Sequence, residues 1–581
     1  MHEKILAVHD GHTATAALIQ DGRILACISE ERLNRVKEWG GVPELAIREV
    51  LRITKTKPHE VDHVIVPSLI NPITSMEAGN RSAPRKAFGH ATRMVPGSIL
   101  RGNWWVNPAV GFLGKFRHTG DIKKVLGKIG IDRDPEFCEH HLAHAASAYY
   151  PNWFGHKEDT LIITADGSGD GVSATISIGR GYNIRRKLSI SNYNSIGELY
   201  SRVTEYMGMK PLSHEYKVMG LAPYTKEKYA RVVANKFKKM IRISPKNPLL
   251  YENVSGAWHW HYLRKFQSEL GNERFDNIAG GLQMFFEDLV LEWVGNIIKE
   301  YDIHNVVFGG GIFMNVKANS RILHMDEVKN YFVMPSCGDE SLAIGAGLHK
   351  YVELCKEDGV KPRVEPIGSL YYGTEYSDTQ VQEAIRSAKL KSKYKVEKIN
   401  DIDGYIGEEL IKGVTIARVR GPSEWGARAL GNRTIMADAR NRDIIMKINE
   451  AVKKRDFWMP FAPSIMRERE KDFMINKKNF YAPYMIVSFE STEYGRENLR
   501  AGMHQYDFTI RPQVVDKEWN PGYHKVLDSF RSASGGVGGF LNTSFNLHGD
   551  PIVLSPKDAI YTFENSGLDQ LAVGDFLISR K

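Results

Sequence analysis

Cysteine is scarce. The 581 residues hold four, at Cys27, Cys138, Cys337 and Cys355, and none forms a CxxC pair. Scattered thiols argue against a disulfide framework and for a reducing compartment, cytoplasmic by default. Long apolar runs are missing as well. No stretch reaches the roughly 18 apolar residues of a membrane span, so none is expected. The opening MHEKILAVHDG lacks the charged, apolar and small-residue regions of a secretory leader. Neither sign of charge dominates: 78 Lys and Arg stand against 69 Asp and Glu, a net of +9. That moderate excess suits anionic substrates such as nucleotides or phosphates, and permits nucleic acid without demanding it. With 42% hydrophobic and 25% charged residues, the composition is that of a globular protein, and the length calls for two or more domains.

The basic excess is uneven. Between Ala78 and Lys128 stand ten Lys or Arg and one acid, Asp121, with Trp104, Trp105, Phe112 and Phe116 among them. A basic segment with interleaved aromatics can track a nucleic-acid backbone. The preferred reading is the plainer one, a solvated insertion anchored by its aromatics.

What is present first is a repeat. KILAV, TATAALI and RILACI read as short strands, with Gln20-Asp21-Gly22 as a hairpin signal. The pattern returns in DTLIITADGSGDGVSATISIGRG, offset by 160 residues. Asp10, Gly11, Thr13, Ala14 and Thr15 match Asp170, Gly171, Ser173, Ala174 and Thr175, while Val172 stands where the first copy has His12. Two strand–turn–strand units at this distance predict a duplicated α/β core with helices between. PELAIREVLRI and GGLQMFFEDLVLEWVGNIIKEY are candidate helices, the latter with apolar residues at helical spacing. VVFGGGIFMNV reads as a buried strand entering a glycine turn, and SLAIGAGLHKYVELCKE as a helix. KEDGVKPRVEPIG is polar and proline-bearing, a linker signal, and Ser377 is placed to cap a following helix. These features predict a boundary near 365, giving domains 1–365 and 366–581.

In EHHLAHAASAYY, His140 and His144 are four apart and share one helix face, so both can hold a divalent metal. His141 points elsewhere. Such a pair also occurs on surfaces and at helix starts. Asp166 in TADGSGDG and Asp339 in CGDES follow strands and could complete a site. Gly167, Gly169 and Gly171, and Gly309, Gly310 and Gly311, also follow strands, where backbone N–H groups can cradle phosphates. The pattern is neither the P-loop nor the Rossmann fingerprint. In the second region polar groups concentrate in three stretches. EWGARALGNR brings Glu424, Arg428, Asn432 and Arg433; VKKRDFWMPFAPS brings Lys453 and Arg455; NTSFNLHGDPIV brings Asn542, Ser544, Asn546 and His548. Cations alternating with buried-type residues favour an anion pocket over a solvated face.

In this order, HTATAALIQDGRI with EERLNR, HHLAHAASA, ADGSGDG, HEYKVMGLAPY, GGGIFMNV, CGDESLAIGAG, EWGARALGNR, KKRDFWMPFAPS and NTSFNLHGDPIV resemble the O-carbamoyltransferase family over nearly the whole chain. The resemblance implies a duplicated actin-like ATPase-fold domain followed by a YrdC-like α/β domain. It implies that the second domain makes carbamoyladenylate from ATP and carbamoyl phosphate, and that the first transfers the carbamoyl group to an acceptor hydroxyl. His12 matches the base of the family motif. His140, His144 and Asp339 match its metal ligands, with Asp166 at metal and nucleotide; the implied metal is ferrous iron, and Mg2+ is admitted beside it. Lys217, Gly309, Gly310 and Asn315 match nucleotide positions. Arg428, Lys453, Arg455, Arg511 and Ser544 are the candidates for carbamoyl phosphate and ATP.

Some positions depart from the family. Pro422 and Ala427 replace an arginine and a proline, Met459 replaces a frequent arginine, and Lys37-Glu38 stands for Lys-His. Arg418, Arg420 and Arg433 are the expected replacements for the missing cations. His9 has no match and is expected to be structural. The expected acceptor is a small hydroxylated metabolite; a hydroxymethylated pyrimidine in DNA is the alternative that segment 78–128 suggests. A homodimer is admitted. An actin-fold nucleotide sensor or sugar kinase is the reading from another class.

Overall fold

The computed structural model describes residues 2–69, 119–390 and 393–581. Most of the basic, aromatic segment 78–128 lies outside them. Two compact units form, residues 1–25 with 39–367 and residues 26–38 with 368–581. Ala26–Glu38 thus belongs to the second unit, which a single cut near 365 does not express.

The first unit holds two five-stranded sheets. One is built from β1 (Lys4–His9), β2 (Thr15–Gln20), β3 (Arg23–Ser29), β4 (His63–Val66) and β5 (Pro135–Phe137), in the order β3-β2-β1-β4-β5. The other uses β6 (Thr160–Gly169), β7 (Val172–Arg180) and β8 (Asn183–Ser191). A small hairpin, β9 (Ile241–Ser244) and β10 (Asn247–Asn253), precedes β11 (Asn305–Gly309) and β12 (Asn330–Val333). Its order, β8-β7-β6-β11-β12, repeats the first. The senses repeat too: β1/β2 and β6/β7 are antiparallel, whereas β1/β4, β4/β5, β6/β11 and β11/β12 are parallel. This is the duplicated α/β core that the repeat predicts and the actin-like fold that the resemblance implies. The Asp21-Gly22 hairpin forms with both residues at positive φ, as a type I′ turn requires.

The repeat needs one correction. Counted along the second strands the offset is 160, since Thr15 begins β2 and Thr175 lies in β7. On the first strands it fails. His9 pairs with Thr15 across five residues, 10–14, whereas Thr164 pairs with Thr175 across ten, 165–174. The register shifts between Ala165 and Gly169. His9 therefore corresponds to Thr164, and the second turn is the longer one. Its added length carries Asp166 and Gly169.

Helices cover the sheets. Glu44–Ile53, Phe275–Tyr301 and Leu342–Glu357 occupy the segments expected from their apolar spacing. Leu6, Ala7 and Val8 of β1 and Leu161, Ile162 and Ile163 of β6 are wholly buried, so both sheets are core elements. Among the described residues no helix is long and apolar enough to cross a membrane.

The second unit is α/β on one mixed sheet of eight strands, β13 (Tyr394–Lys398), β14 (Ile416–Val419), β15 (Arg433–Ala437), β16 (Ala462–Met466) and four later ones. A side sheet takes β17 (Met474–Ile475), β18 (Phe489–Ser491) and β19 (Thr509–Ile510). The main sheet adds β20 (Gln513–Val515), β21 (Gly539–Ser544), β22 (Gln570–Val573) and β23 (Phe576–Arg580). Its order is β13-β23-β22-β14-β15-β21-β16-β20. Ser377 caps Asp378–Ser387 by accepting from Gln380 N, as expected.

Candidate metal centre and anion pocket

In the first unit the helix His140–Tyr149 starts one turn of imidazoles. Glu139 caps it, accepting from Leu142 N at 2.6 Å, and Asp170 accepts from His140 N at 2.9 Å. The helix end is thereby fixed against the longer β6–β7 turn. Asp166 arrives on β6, and Asp339 opens a short 3-10 turn after β12. His144 Nε2 lies 2.9 Å from Asp166 Oδ2 and 3.7 Å from Asp339 Oδ1. His140 Nε2 lies 3.5 and 3.8 Å from the same oxygens. Ligand atoms of all four residues fall within 4.8 Å of one another.

Close packing makes this possible. A Cβ on Gly169 would meet the His140 ring at 2.1 Å, so any other residue there would displace that ring. Gly310 has φ +97°, and a Cβ on it would meet Ala165 O at 2.2 Å. The glycine turn after β11 thus lies against the strand that carries Asp166. His141, the neighbour set aside on helical spacing, is tied elsewhere, with Nδ1 2.8 Å from Thr164 Oγ1 and Nε2 3.1 Å from Val172 O.

Two imidazole nitrogens and two carboxylate oxygens are a donor set for a divalent first-row metal. His140 Nε2 supports that fit: it is buried and has no hydrogen-bond partner among the described residues, which a metal ligand atom would not need. Electrostatics point the same way. Burial alone would lower His144, but hydrogen bonding and charge from Asp166 and Asp339 outweigh it and raise the pKa to about 9. His140 is raised by the same contest of burial against Asp166. Burial would raise Asp166, yet its two histidines hold it well below the usual carboxylate range.

Metal ligands must be deprotonated, so a metal held by His144 would expel its proton. Divalent-metal affinity is expected to rise about tenfold per pH unit for each proton displaced, from pH 7 up to the His144 value of about 9. Calorimetric titration at pH 7 and pH 8 checks this. An affinity independent of pH would contradict it.

His12 is half-buried in the β1–β2 turn of the same unit. Its charge acts on the buried Glu340 carboxyl, next to Asp339; burial raises that carboxyl, against the Ser336 hydrogen bond and His12. Thr13 Oγ1 lies 3.4 Å from Glu340 Oε2. Asn315 caps Val316–Leu323 and exchanges hydrogen bonds with Gln283 at 3.0 Å. Lys217 stands on the helix Glu215–Leu221, half-buried.

The second unit gathers cations. Lys453 is buried at the end of a π-helical turn, Asn449–Lys453. Its Nζ donates to Ser544 O, to Ser544 Oγ at 3.0 Å and to Asn546 Oδ1 at 2.7 Å. Arg455 donates to Thr543 Oγ1 at 3.3 Å and lies over the Phe461 ring. Desolvation, then the charges of Arg428 and Arg455, hold Arg511 well below its ordinary pKa. Desolvation, then Arg455 and Lys37, do the same to Lys453. Like charges gathered away from water are costly, and a bound anion relieves that cost. Arg428, Lys453, Arg455, Arg511 and Ser544 are thus brought together.

Sequence reasoning did not place Lys37 here. It arrives on the segment Ala26–Glu38, where Arg35 donates to Ile552 O at 2.7 Å and Pro551 O at 2.8 Å, and buried Arg32 to Gly426 O at 2.7 Å. The EERLNR motif is the anchor of that strap. Its sequence signal was the EERLNR motif followed by Lys37-Glu38, which does not name what the segment packs against.

The expected substitutes for the missing arginines are corrected. Arg418 is buried on Asp403, Gly431 O and Asn432 Oδ1. Arg433 is spent on the carbonyls of Leu554, Gly421, Asn432 and Thr374. Arg420 pairs with Asp575 at 2.5 Å and Asp403 at 3.4 Å. All three are held by the unit's own acceptors: Arg418 on β14, Arg433 at the start of β15, and Arg420 just after β14. Met459 is buried, and Pro422 O accepts from Asn432 Nδ2 at 2.8 Å.

Two family models match, described as the carbamoyltransferase N-terminus over residues 4–348 and the carbamoyltransferase C-terminus over residues 407–580. The chain belongs to the carbamoyltransferase family. The O-carbamoyltransferase resemblance of the motifs is thereby borne out. An uncharacterized protein of Methanocaldococcus jannaschii, MJ1058, is 34% identical to this carbamoyltransferase over 84% of its chain and 83% of the relative. Nodulation protein NolNO of Sinorhizobium fredii is 29% identical over 99% of this chain and 79% of its own. The 3'-hydroxymethylcephem-O-carbamoyltransferase of Amycolatopsis lactamdurans is 28% identical over 46% of this chain and 47% of its own.

Proposed function

We propose that this carbamoyltransferase works in two steps, one in each unit. In the second unit, water cleaves carbamoyl phosphate to carbamate and orthophosphate. The carbamate oxygen then attacks the α-phosphorus of ATP, forming carbamoyladenylate and expelling pyrophosphate. In the first unit, an acceptor hydroxyl attacks the carbamoyl carbon and AMP leaves. The relatives' names favour an alcohol on a small hydroxylated metabolite as the acceptor.

The cationic pocket carries this reading. The charged groups acting on Arg511 are Arg428 and Arg455. Such a group of cations has a purpose where phosphates must be held and their charge neutralised during phosphoryl chemistry. Lys453 and Ser544 would orient the transferring group. The adenylate makes AMP a good leaving group, which carbamate alone lacks.

In the first unit an acceptor alcohol has a high pKa and needs a base in the transition state. His12 fills that role: a half-buried imidazole, open enough to meet a substrate, on a turn fixed by its neighbours. His140, His144, Asp166 and Asp339 would hold the metal, ferrous iron in this reading, which when bound supplies Lewis-acid stabilisation to the adenylate phosphate. Gly309 and Gly310 pack against His144 O and Ala165 O, which holds their turn beside the candidate ligands.

Arg511→Met tests the pocket. Hydrogen bonds to charged groups contribute about 1.5–3 kcal/mol, so pyrophosphate release should fall about 10- to 100-fold. Transfer from pre-formed carbamoyladenylate should be unchanged. Normal pyrophosphate release in this variant would contradict the assignment.

A further inference from the structure

His9 lies in the core of the first unit and is buried, 1% exposed. Its Nε2 is 3.0 Å from the carbonyl oxygen of His12, three residues on. A carbonyl only accepts, so Nε2 carries the hydrogen. The other nitrogen, Nδ1, is buried with no hydrogen-bond partner among the described residues. A buried polar atom left unsatisfied costs free energy, and Leu or Val at position 9 would avoid it. The imidazole therefore serves the one bond it makes.

That bond ends on a strained turn. Thr13 has φ +57°, and a β-branched residue in the left-handed region is held there only by its surroundings. Side-chain hydrogen bonds hold it. His9 Nε2 and Thr13 Oγ1 both donate to His12 O, the latter at 2.6 Å, and Thr15 Oγ1 donates to Thr13 O at 2.7 Å. The His12 backbone is thus locked, and the residue itself is half-buried.

The second copy supplies the control. Its counterpart of His9 is Thr164, whose hydroxyl lies 2.6 Å from Thr175 Oγ1. Its counterpart of His12 is Val172. The two histidines occur together in the first copy and are absent together from the second. A residue needed only to build the fold would be wanted in both.

We propose that His9 is a positioning residue for the transfer step: its Nε2–H clamps the His12–Thr13 turn and so fixes where His12 presents its imidazole. This rests on the reading of His12 as the base. His9 does not touch substrate; it acts through the His12 carbonyl.

The test compares His9→Leu with His9→Gln in the full-length, metal-loaded protein. Leu fills the space without a donor; Gln returns an N–H to the same carbonyl. In His9→Leu, metal content and pyrophosphate release should match the parent. The kcat for carbamoyl transfer should fall about 100-fold, the scale of a base misplaced by an ångström, with the acceptor KM little changed. His9→Gln should recover most of that loss. The His12 ring signals in NMR should shift in His9→Leu and return toward the parent in His9→Gln. Parental transfer in His9→Leu overturns the proposal. So does loss of metal and pyrophosphate release together with transfer, which would make His9 a general core residue. If the parent transfers no carbamoyl group at all, the base reading of His12 fails, and the NMR comparison still decides on the clamp: unmoved His12 signals in His9→Leu refute it.

Discussion

His12→Ala is expected to abolish most carbamoyl transfer and to leave pyrophosphate release from ATP and carbamoyl phosphate near the parental rate. A positioned general base contributes about 10²- to 10⁴-fold, and transfer should fall within that range. The selectivity follows from placement. His12 belongs to the first unit, whereas Lys453, Arg455 and Arg511 belong to the second. Carbamoyladenylate should therefore accumulate in the variant. Equal loss of both steps would mean that His12 holds the fold. Measuring pyrophosphate and carbamoylated acceptor in the same reaction separates the outcomes.

Asp166→Asn has the second large effect. Asp166 Oδ2 is the atom nearest to both metal-candidate histidines, 2.9 Å from His144 and 3.5 Å from His140. An amide keeps the size and loses the charge. Metal retention after dialysis should fall at least about 100-fold, since changes merely in the surrounding shell already cost about 10- to 100-fold. The metal-free fold should suffer too, because removing one partner of a buried pair costs about 3–5 kcal/mol. The sign with pH is specific. His144 is raised above its unfolded value, so its contribution is full below pH 6.5 and lost as pH rises through about 9. Asp166 is depressed, so its contribution is present above the usual carboxylate value of 3.8 and lost on acidification. The metal-free parent should lose Tm between pH 6.5 and pH 9.5, and Asp166→Asn should lose much less. Metal analysis and thermal melts check both. Full metal content in the variant would refute the ligand assignment.

How much of this could be read in advance depended on whether a signal was local. His140 and His144 share a helix face by spacing alone; Asp166 lies late in β6 and Asp339 after β12, at the ends of parallel-paired strands. Asp21-Gly22 announced its hairpin because only a few residue types accept two positive φ angles. The repeat was legible, but its alignment was not: an offset taken from β2 and β7 hides the five residues added before β7, and with them the match of His9 to Thr164. Lys37 was invisible as a neighbour of Lys453, since no local pattern says that a segment after the first hairpin packs with the distant second unit. Arg418, Arg420 and Arg433 look like Arg428 in sequence. The first three reach internal carbonyls and aspartates, partners distant in the chain that a short window of sequence does not show. His9 looked inert because its single hydrogen bond is to a backbone atom.

The central claim is that the chain activates a carbamoyl group with ATP before transferring it. The most direct measurement is to incubate the purified protein with ATP and carbamoyl phosphate, without acceptor, and to analyse the nucleotides. Pyrophosphate together with carbamoyladenylate is the predicted result. Formation of ADP would instead mark a kinase, absence of any nucleotide turnover would mark a sensor, and either would contradict the account.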